Sequence, residues 1–258
     1  MWLRWFAFPV LALAGLAVLG SALVGFVILL AYPNLPSIEA LTEYQPKIPL
    51  RVYTADGVLI GEFGEERRSV VSIEEVPALM KQAILAAEDE RFYQHTGVDY
   101  HGVLRAAYSN LLTAGKTQGA STITMQVARN FFLSREKTLT RKLYEALLAF
   151  KIENSLGKDQ ILEIYINQIY LGQRAYGFGA AAQVYFGKTL SQINPAEIAM
   201  LAGLPKAPSS FNPVINPKRA KQRQLYVLRR MRELALLDDE QYEEAQKTPI
   251  SVRREAVT

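Results

Sequence analysis

Apolar and polar positions change their rhythm three times along the 258-residue chain. Residues 5–32 (WFAFPVLALAGLAVLGSALVGFVILLAY) carry no charge and exceed the roughly 20 apolar residues that span a bilayer. A cleavable signal peptide is the competing reading. The run is longer than the roughly 7–15 apolar residues of such a peptide, and no small-residue cleavage site follows it, so a transmembrane helix is expected over 5–32. Trp2, Trp5 and Tyr32 suit the two interfaces, and Arg4 with the amino terminus assigns residues 1–4 to the cytoplasmic side. Residues 33–50 carry four prolines and read as a linker. In RVYTADGVLIGEFG (51–64) two β-prone runs flank Asp56-Gly57, which predicts a hairpin within a lead-in segment at 51–72.

From residue 73 the spacing is helical almost without interruption, so 73–248 reads as one mainly α domain, with 249–258 as the start of a further linker. Gly157 ends one helix and Lys158-Asp159 begin the next, whose apolar stripe includes Leu162, Tyr165 and Ile169. Asn194-Pro195-Ala196-Glu197 combines an Asn cap, Pro at the first helical position and a capping-box Glu. Asn216-Pro217 repeats that start, after a proline-rich surface loop at 204–217. In KTLTRKLYEALLAFKIE (137–153), Leu139, Leu143, Ala146, Leu147 and Phe150 form the expected buried stripe. Leu104, Tyr108, Leu111 and Leu112 lie between basic ends in VLRAAYSNLLTAGK (103–116), a pattern that fits core packing and an amphipathic piece on lipid equally.

The net charge is +4 and there is no cysteine. The latter excludes disulfides and thiolate metal sites. The former, beside a bilayer, points to anionic lipid or a phosphorylated substrate as readily as to nucleic acid. Within residues 217–233, Lys218, Arg219, Lys221, Arg223, Arg229, Arg230 and Arg232 face a single acid, Glu233. Such a helix reads as a solvated face, with an anionic surface as its alternative partner.

Three stretches carry candidate chemistry. EDERFYQHTGVD (88–99) follows the apolar run AILAA, so three acids end a helix, where the dipole favours cations. Glu88 falls beside the apolar stripe through Ile84 and Met80, and partial burial there raises a carboxyl toward the range of a general base or acid. A solvated acidic helix end is the plain alternative. His95 then pins the following turn by a hydrogen bond and Gly97 supplies a positive φ. In QGASTITMQVARN (118–130), Ser121 or Thr122 caps a helix on which Thr122, Gln126 and Arg129 share a face. That is an anion site or an ordinary capped helix. In the third stretch Glu145 lies four residues after Arg141 and three after Lys142. It is a surface ion pair or a second carboxylate held by two cations that also face a phosphate.

Together these stretches resemble the family 51 peptidoglycan glycosyltransferases. EDERFYQHTG resembles that family's E-D-x-x-F-x-x-H-x-G motif, GASTITMQ its G-A-S-T-I-T-Q-Q, RKLYE its R-K-x-x-E, and KDQILEIYINQIYLG its K-x-x-I-L-E-x-Y-L-N helix. GFGAAAQVYFGK (177–188) and LAGLPKAPSSFNP (201–213) extend the likeness, which covers nearly all of residues 50–235. RVYTADGVLIGEFGEERR is similar to the corresponding segment of class A penicillin-binding proteins, type 1A in particular. Met125 departs from the pattern, standing where the family has the first of two glutamines, and at helical spacing it points away from the Thr122–Gln126–Arg129 face.

The resemblance implies a lysozyme-like, mainly α glycosyltransferase domain with a small β-hairpin behind one transmembrane helix, on the periplasmic side of the inner membrane. It implies an inverting polymerase of lipid II that releases undecaprenyl pyrophosphate, with Glu88 as general base and Glu145 near the donor. Asp89, Phe92, His95, Ser121, Thr122, Gln126, Arg129, Lys137, Arg141 and Lys142 would bind substrate, with or without a divalent cation (Mg or Mn) near Glu145 and with no required cofactor. The implied partners are lipid II, the growing glycan chain, membrane lipid and other cell-wall synthesis proteins, not nucleic acid. Class A proteins continue into a transpeptidase domain, which residues 1–258 do not include, so the chain is expected to be an N-terminal piece or to lack that activity. A lysozyme-like glycan hydrolase, which also uses two carboxylates, and an anchored non-enzymatic scaffold are the rival readings.

Overall fold

The computed structural model describes residues 14–15, 18–23, 25–26, 28–42, 50–57, 59–64, 66–112, 119–133 and 138–253. Part of the expected membrane span (5–13, 16–17, 24 and 27) lies outside them, and the described residues from 14 to 31 are helical. Among the described residues no helix is long and apolar enough to cross a membrane. Val18, Leu19, Leu23 and Leu29 are exposed there.

The segment expected to be a linker is partly built into the domain. Leu35 and Leu41 are buried, with Ile38 packed alongside, and the Lys151 ammonium donates to the Pro36 carbonyl at 2.9 Å. The hairpin forms as expected: β1 (Leu50–Tyr53) pairs antiparallel with β2 (Leu59–Phe63), with a register shift between Val52 and Tyr53. A second pair is parallel, β3 (Arg67–Arg68) beside β4 (Ala175–Tyr176).

Nine longer helices among the described residues make the body: α1 (Ala78–Glu88), α2 (Tyr100–Leu112), α3 (Ile123–Phe132), α4 (Leu139–Glu153), α5 (Lys158–Gln168), α6 (Phe178–Phe186), α7 (Pro195–Gly203), α8 (Pro217–Glu233) and α9 (Asp239–Lys247). Helix α7 is buried on every side, as a helix apolar all round must be. It starts with the expected capping box, Asn194 accepting from the Glu197 N–H and Glu197 from the Asn194 N–H. Its small residues let α1 and α8 pack closely against it, while α3 packs on α4 and α5. Met80, Ile84, Ile123, Leu148, Leu162 and Tyr165 are among the fully buried side chains of the core. Each contributes about 1.5–3 kcal/mol on burial.

Polar residues of α5 fasten the lead-in strand to this body. The Asn167 amide accepts from the Val71 N–H and donates to the Val71 carbonyl, and Glu163 accepts from the Ile73 N–H. One face differs from expectation, and on a second the structure chooses between the two readings. On α4 the buried line runs through Glu145, Leu148, Ala149 and Ile152, with Leu147 beside it, while Leu143, Ala146 and Phe150 are only half-buried. Residues 145–152 are apolar nearly all round, so periodicity does not decide which side turns inward. On α2 only Gly102 and Ala106 are buried, leaving Leu104, Tyr108, Leu111 and Leu112 exposed.

Candidate active site

Glu88 is the last residue of α1, where α1 meets α7 and α8. It lines a cleft of about 870 Å³ together with Asp89, Ser121, Gln126, Arg129, Lys206, Arg223 and further residues. Its side chain is only 10% exposed. Its Oε2 accepts from the Gln126 amide at 3.0 Å, and the Arg223 guanidinium stands 3.7 Å from Oε1. Burial drives the Glu88 carboxyl above the ordinary glutamate range, opposed by the Gln126 hydrogen bond and the charges of Arg223, Lys206 and Arg129. A carboxylate so raised and open to a cleft is suited to proton transfer.

Asp89 caps a different helix from the one it follows. Its Oδ2 accepts the Ile123 N–H at 2.9 Å, placing a carboxylate at the positive end of α3. The His95 Nε2 lies 3.0 and 3.2 Å from its two oxygens. The Thr122 hydroxyl accepts from the Met125 N–H and donates to the Gly97 carbonyl at 2.6 Å. Gly97 takes φ +79°, and a Cβ there would lie 3.0 Å from the backbone of Ala149 and Phe150. Phe92 is fully buried against Tyr93 and His95. Phe92, His95 and Thr122 thus sit in the packing beneath the cleft and do not line it. Asp89, Ser121, Gln126 and Arg129 do line it.

Glu145 is fully enclosed, not a surface pair. Lys142 donates to its Oε2 at 2.5 Å and the Arg141 Nε stands 3.1 Å from its Oε1. Lys142 also donates to the Ser121 hydroxyl at 2.6 Å, which links this triad to the cleft wall. Lys137 lies outside the described residues.

Residues 56–232 match the protein family described as Transglycosylase. The chain belongs to that family. It is similar to penicillin-binding protein 1A of Neisseria cinerea, 57% identical over 231 residues covering 90% of this chain and 29% of that protein. Penicillin-binding protein 1A of Pseudomonas aeruginosa is 51% identical over 220 residues, covering 85% and 27%. A crystal structure of penicillin-binding protein 1A from Haemophilus influenzae covers 83% of this chain and 22% of its own, at 31% identity and a TM-score of 0.49. The chain therefore spans less than a third of the length of the curated relatives it matches.

The cleft includes residues that periodicity conceals. From the cationic helix α8, Arg223, Arg229 and Arg230 line it, as do Lys206 and Arg105. The signal available was an excess of cations on α8; which of them turn inward is set by packing against α1 and α7. Glu90, beside Glu88, pairs with Arg230 at 2.7 Å across the cleft rim. The surroundings of Glu145 do not fit a divalent cation, because both of its oxygens already meet cationic side chains. Among the described residues no group of three His, Cys, Asp or Glu side chains converges on a point.

Proposed function

We propose that this chain is a peptidoglycan glycosyltransferase that polymerises lipid II into glycan strands with inversion at the anomeric carbon and release of undecaprenyl pyrophosphate. The observation that carries this reading is the Glu88 carboxylate, kept from water yet facing a cleft lined by Arg105, Arg129, Lys206, Arg223, Arg229 and Arg230. Glu88 takes the proton of the acceptor 4-hydroxyl as that oxygen attacks the anomeric carbon. The C–O bond to the pyrophosphate breaks, and the leaving group keeps the electron pair. Cations at the cleft stabilise the departing charge: Arg129 on the wall, and Lys142 behind Ser121. Glu145 anchors Lys142 and Arg141.

A cationic cleft favours this reading over glycan hydrolysis, which has no pyrophosphate to neutralise. Both substrates carry long lipid tails, so the enzyme works at a bilayer, as a single-pass inner-membrane protein with its catalytic domain on the periplasmic side. Two features support that placement: the exposed Leu104, Tyr108, Leu111 and Leu112 of α2, and the exposed apolar residues between 18 and 30. Lipid II, the glycan chain, membrane lipid and other cell-wall synthesis proteins are the partners in this reading.

The test is lipid II turnover with gel analysis of the glycan. Glu88→Gln is expected to retain lipid II binding and lose about 10²–10⁴-fold in polymerisation rate. Polymerisation at the wild-type rate would overturn the assignment of the base. Shortening of preformed glycan by the wild-type protein would favour a hydrolase.

A further inference from the structure

We propose that Arg223 is a positioning residue for this reaction, holding the Glu88 carboxylate in its working orientation and charge. The inference rests on the reading of Glu88 given above.

Arg223 stands within the cation-rich stretch 217–233, and in α8 its side chain is 7% exposed. Three contacts fix its position. Its Nε donates to the Gly203 carbonyl at 3.3 Å. Its guanidinium lies over the Tyr226 ring at 4.5 Å and the Phe211 ring at 5.9 Å. Its stem packs against the end of α7, where a Cβ on Gly203 would come within 2.8 Å of the Arg223 Cγ. A glycine at 203 is what lets the arginine lie there.

A buried guanidinium is costly unless an anion faces it. Among the described residues the carboxylate that pairs with Arg223 is Glu88, and the cation that pairs with Glu88 is Arg223. The pairing is asymmetric in a way that suits a base. Gln126 holds Oε2 by a hydrogen bond. Oε1 meets Arg223 at 3.7 Å, near enough for attraction but too far for a hydrogen bond. A lone pair on Oε1 therefore stays available for the acceptor proton while the carboxylate cannot turn away.

The groups facing Glu88 come from every side. Gln126 and Arg129 come from α3, Lys206 from the loop after α7, Arg223 from α8 and the Tyr165 hydroxyl from α5. Asp89 and Glu90 adjoin it in the chain. Among the charges that oppose the effect of burial on Glu88, Arg223 comes first. Removing it leaves burial less opposed, so Glu88 holds its proton to still higher pH.

The experiment compares wild type, Arg223→Gln and Arg223→Lys in lipid II polymerisation from acid to alkaline pH, with a melting curve for each variant. Arg223→Gln is expected to move the acid limb of kcat to higher pH, with about a tenfold loss on that limb for each unit of displacement. Activity returns toward wild type as the pH is raised, and KM for lipid II is little changed. Arg223→Lys keeps the charge but not the stacked fork. It is expected to keep the acid limb near its wild-type position with kcat lowered several-fold. An equal loss at every pH, with the limb unmoved in Arg223→Gln, would overturn the proposal. If Arg223→Gln does not fold, Arg223→Lys decides alone, and wild-type kcat in that variant overturns it. Failure of the Glu88 reading is separable, because it shows as full activity of Glu88→Gln whatever Arg223 does.

Discussion

Glu88 and Glu145 are the same residue type, each at or near the end of the reach of water, and their surroundings make them opposites. Glu145 is fully enclosed, with an ammonium on one oxygen and a guanidinium beside the other. Glu88 has one amide hydrogen bond and one guanidinium held off at 3.7 Å, and its other boundary is the cleft. Burial is common to both, so burial alone does not make a base. Incomplete compensation does: a carboxylate denied full pairing binds a proton readily, while one gripped by two cations is a structural hub that orders the cations for other work.

The largest expected effect lies on the compensated side. Glu145→Gln leaves Arg141 without its buried anion and should cost about 3 kcal/mol, read as a melting temperature roughly 10 °C lower. Glu88→Gln also strands a guanidinium, Arg223, but it removes a carboxylate whose charge burial already opposes, so it should lose less than Glu145→Gln near neutral pH. If the two variants melt alike, the contrast fails.

The next effect is a pH dependence. The folded-state pKa of Glu88 lies above its unfolded value, so between the two the native state binds more protons and stability falls as pH rises, by at most about 1.4 kcal/mol per pH unit. The melting temperature of Glu88→Gln relative to wild type should therefore rise as pH passes up through that window and level off in acid below it. A constant difference across pH would show that Glu88 is not raised by burial.

Smaller effects sharpen the picture. Gln126→Leu removes the donor to Glu88 Oε2 and should cost about 1 kcal/mol while displacing the acid limb of polymerisation upward; a limb at the wild-type position would remove Gln126 from the site. Lys142→Met should cost less than about 1 kcal/mol, because its side chain is 43% exposed and Arg141 still faces Glu145. A loss as large as that of Glu145→Gln would mean that Lys142, not Arg141, carries the pair.

Local signals proved legible where a few neighbouring residues decide the outcome. The Asp56-Gly57 hairpin, the Asn194–Glu197 capping box and the positive φ of Gly97 all stand as read, and of the two candidate caps Ser121 and Thr122 it is Thr122 that serves. The acids after AILAA were legible as an anomaly, and the structure divides them: Glu88 faces the cleft, Asp89 caps the next helix, and Glu90 pairs with Arg230 at the rim. Three features were not legible. Leu35 and Leu41 enter the core from a stretch that composition marks as linker. Helix α2 turns its large apolar residues outward. Arg223 leaves a cationic surface to sit beside Glu88.

What the sequence determined by itself is thus the hairpin, the mainly helical character, several helix starts, and the family to which residues 56–232 belong. Those follow from hydrogen bonds and spacing within one turn or one motif. What only the tertiary structure decided is which face of α4 and α2 turns inward, and which of the many cations meets which carboxylate. Helices rich in apolar or cationic residues on all sides have several faces of nearly equal merit. The choice among them is made by the shape and charge of helices distant in the chain.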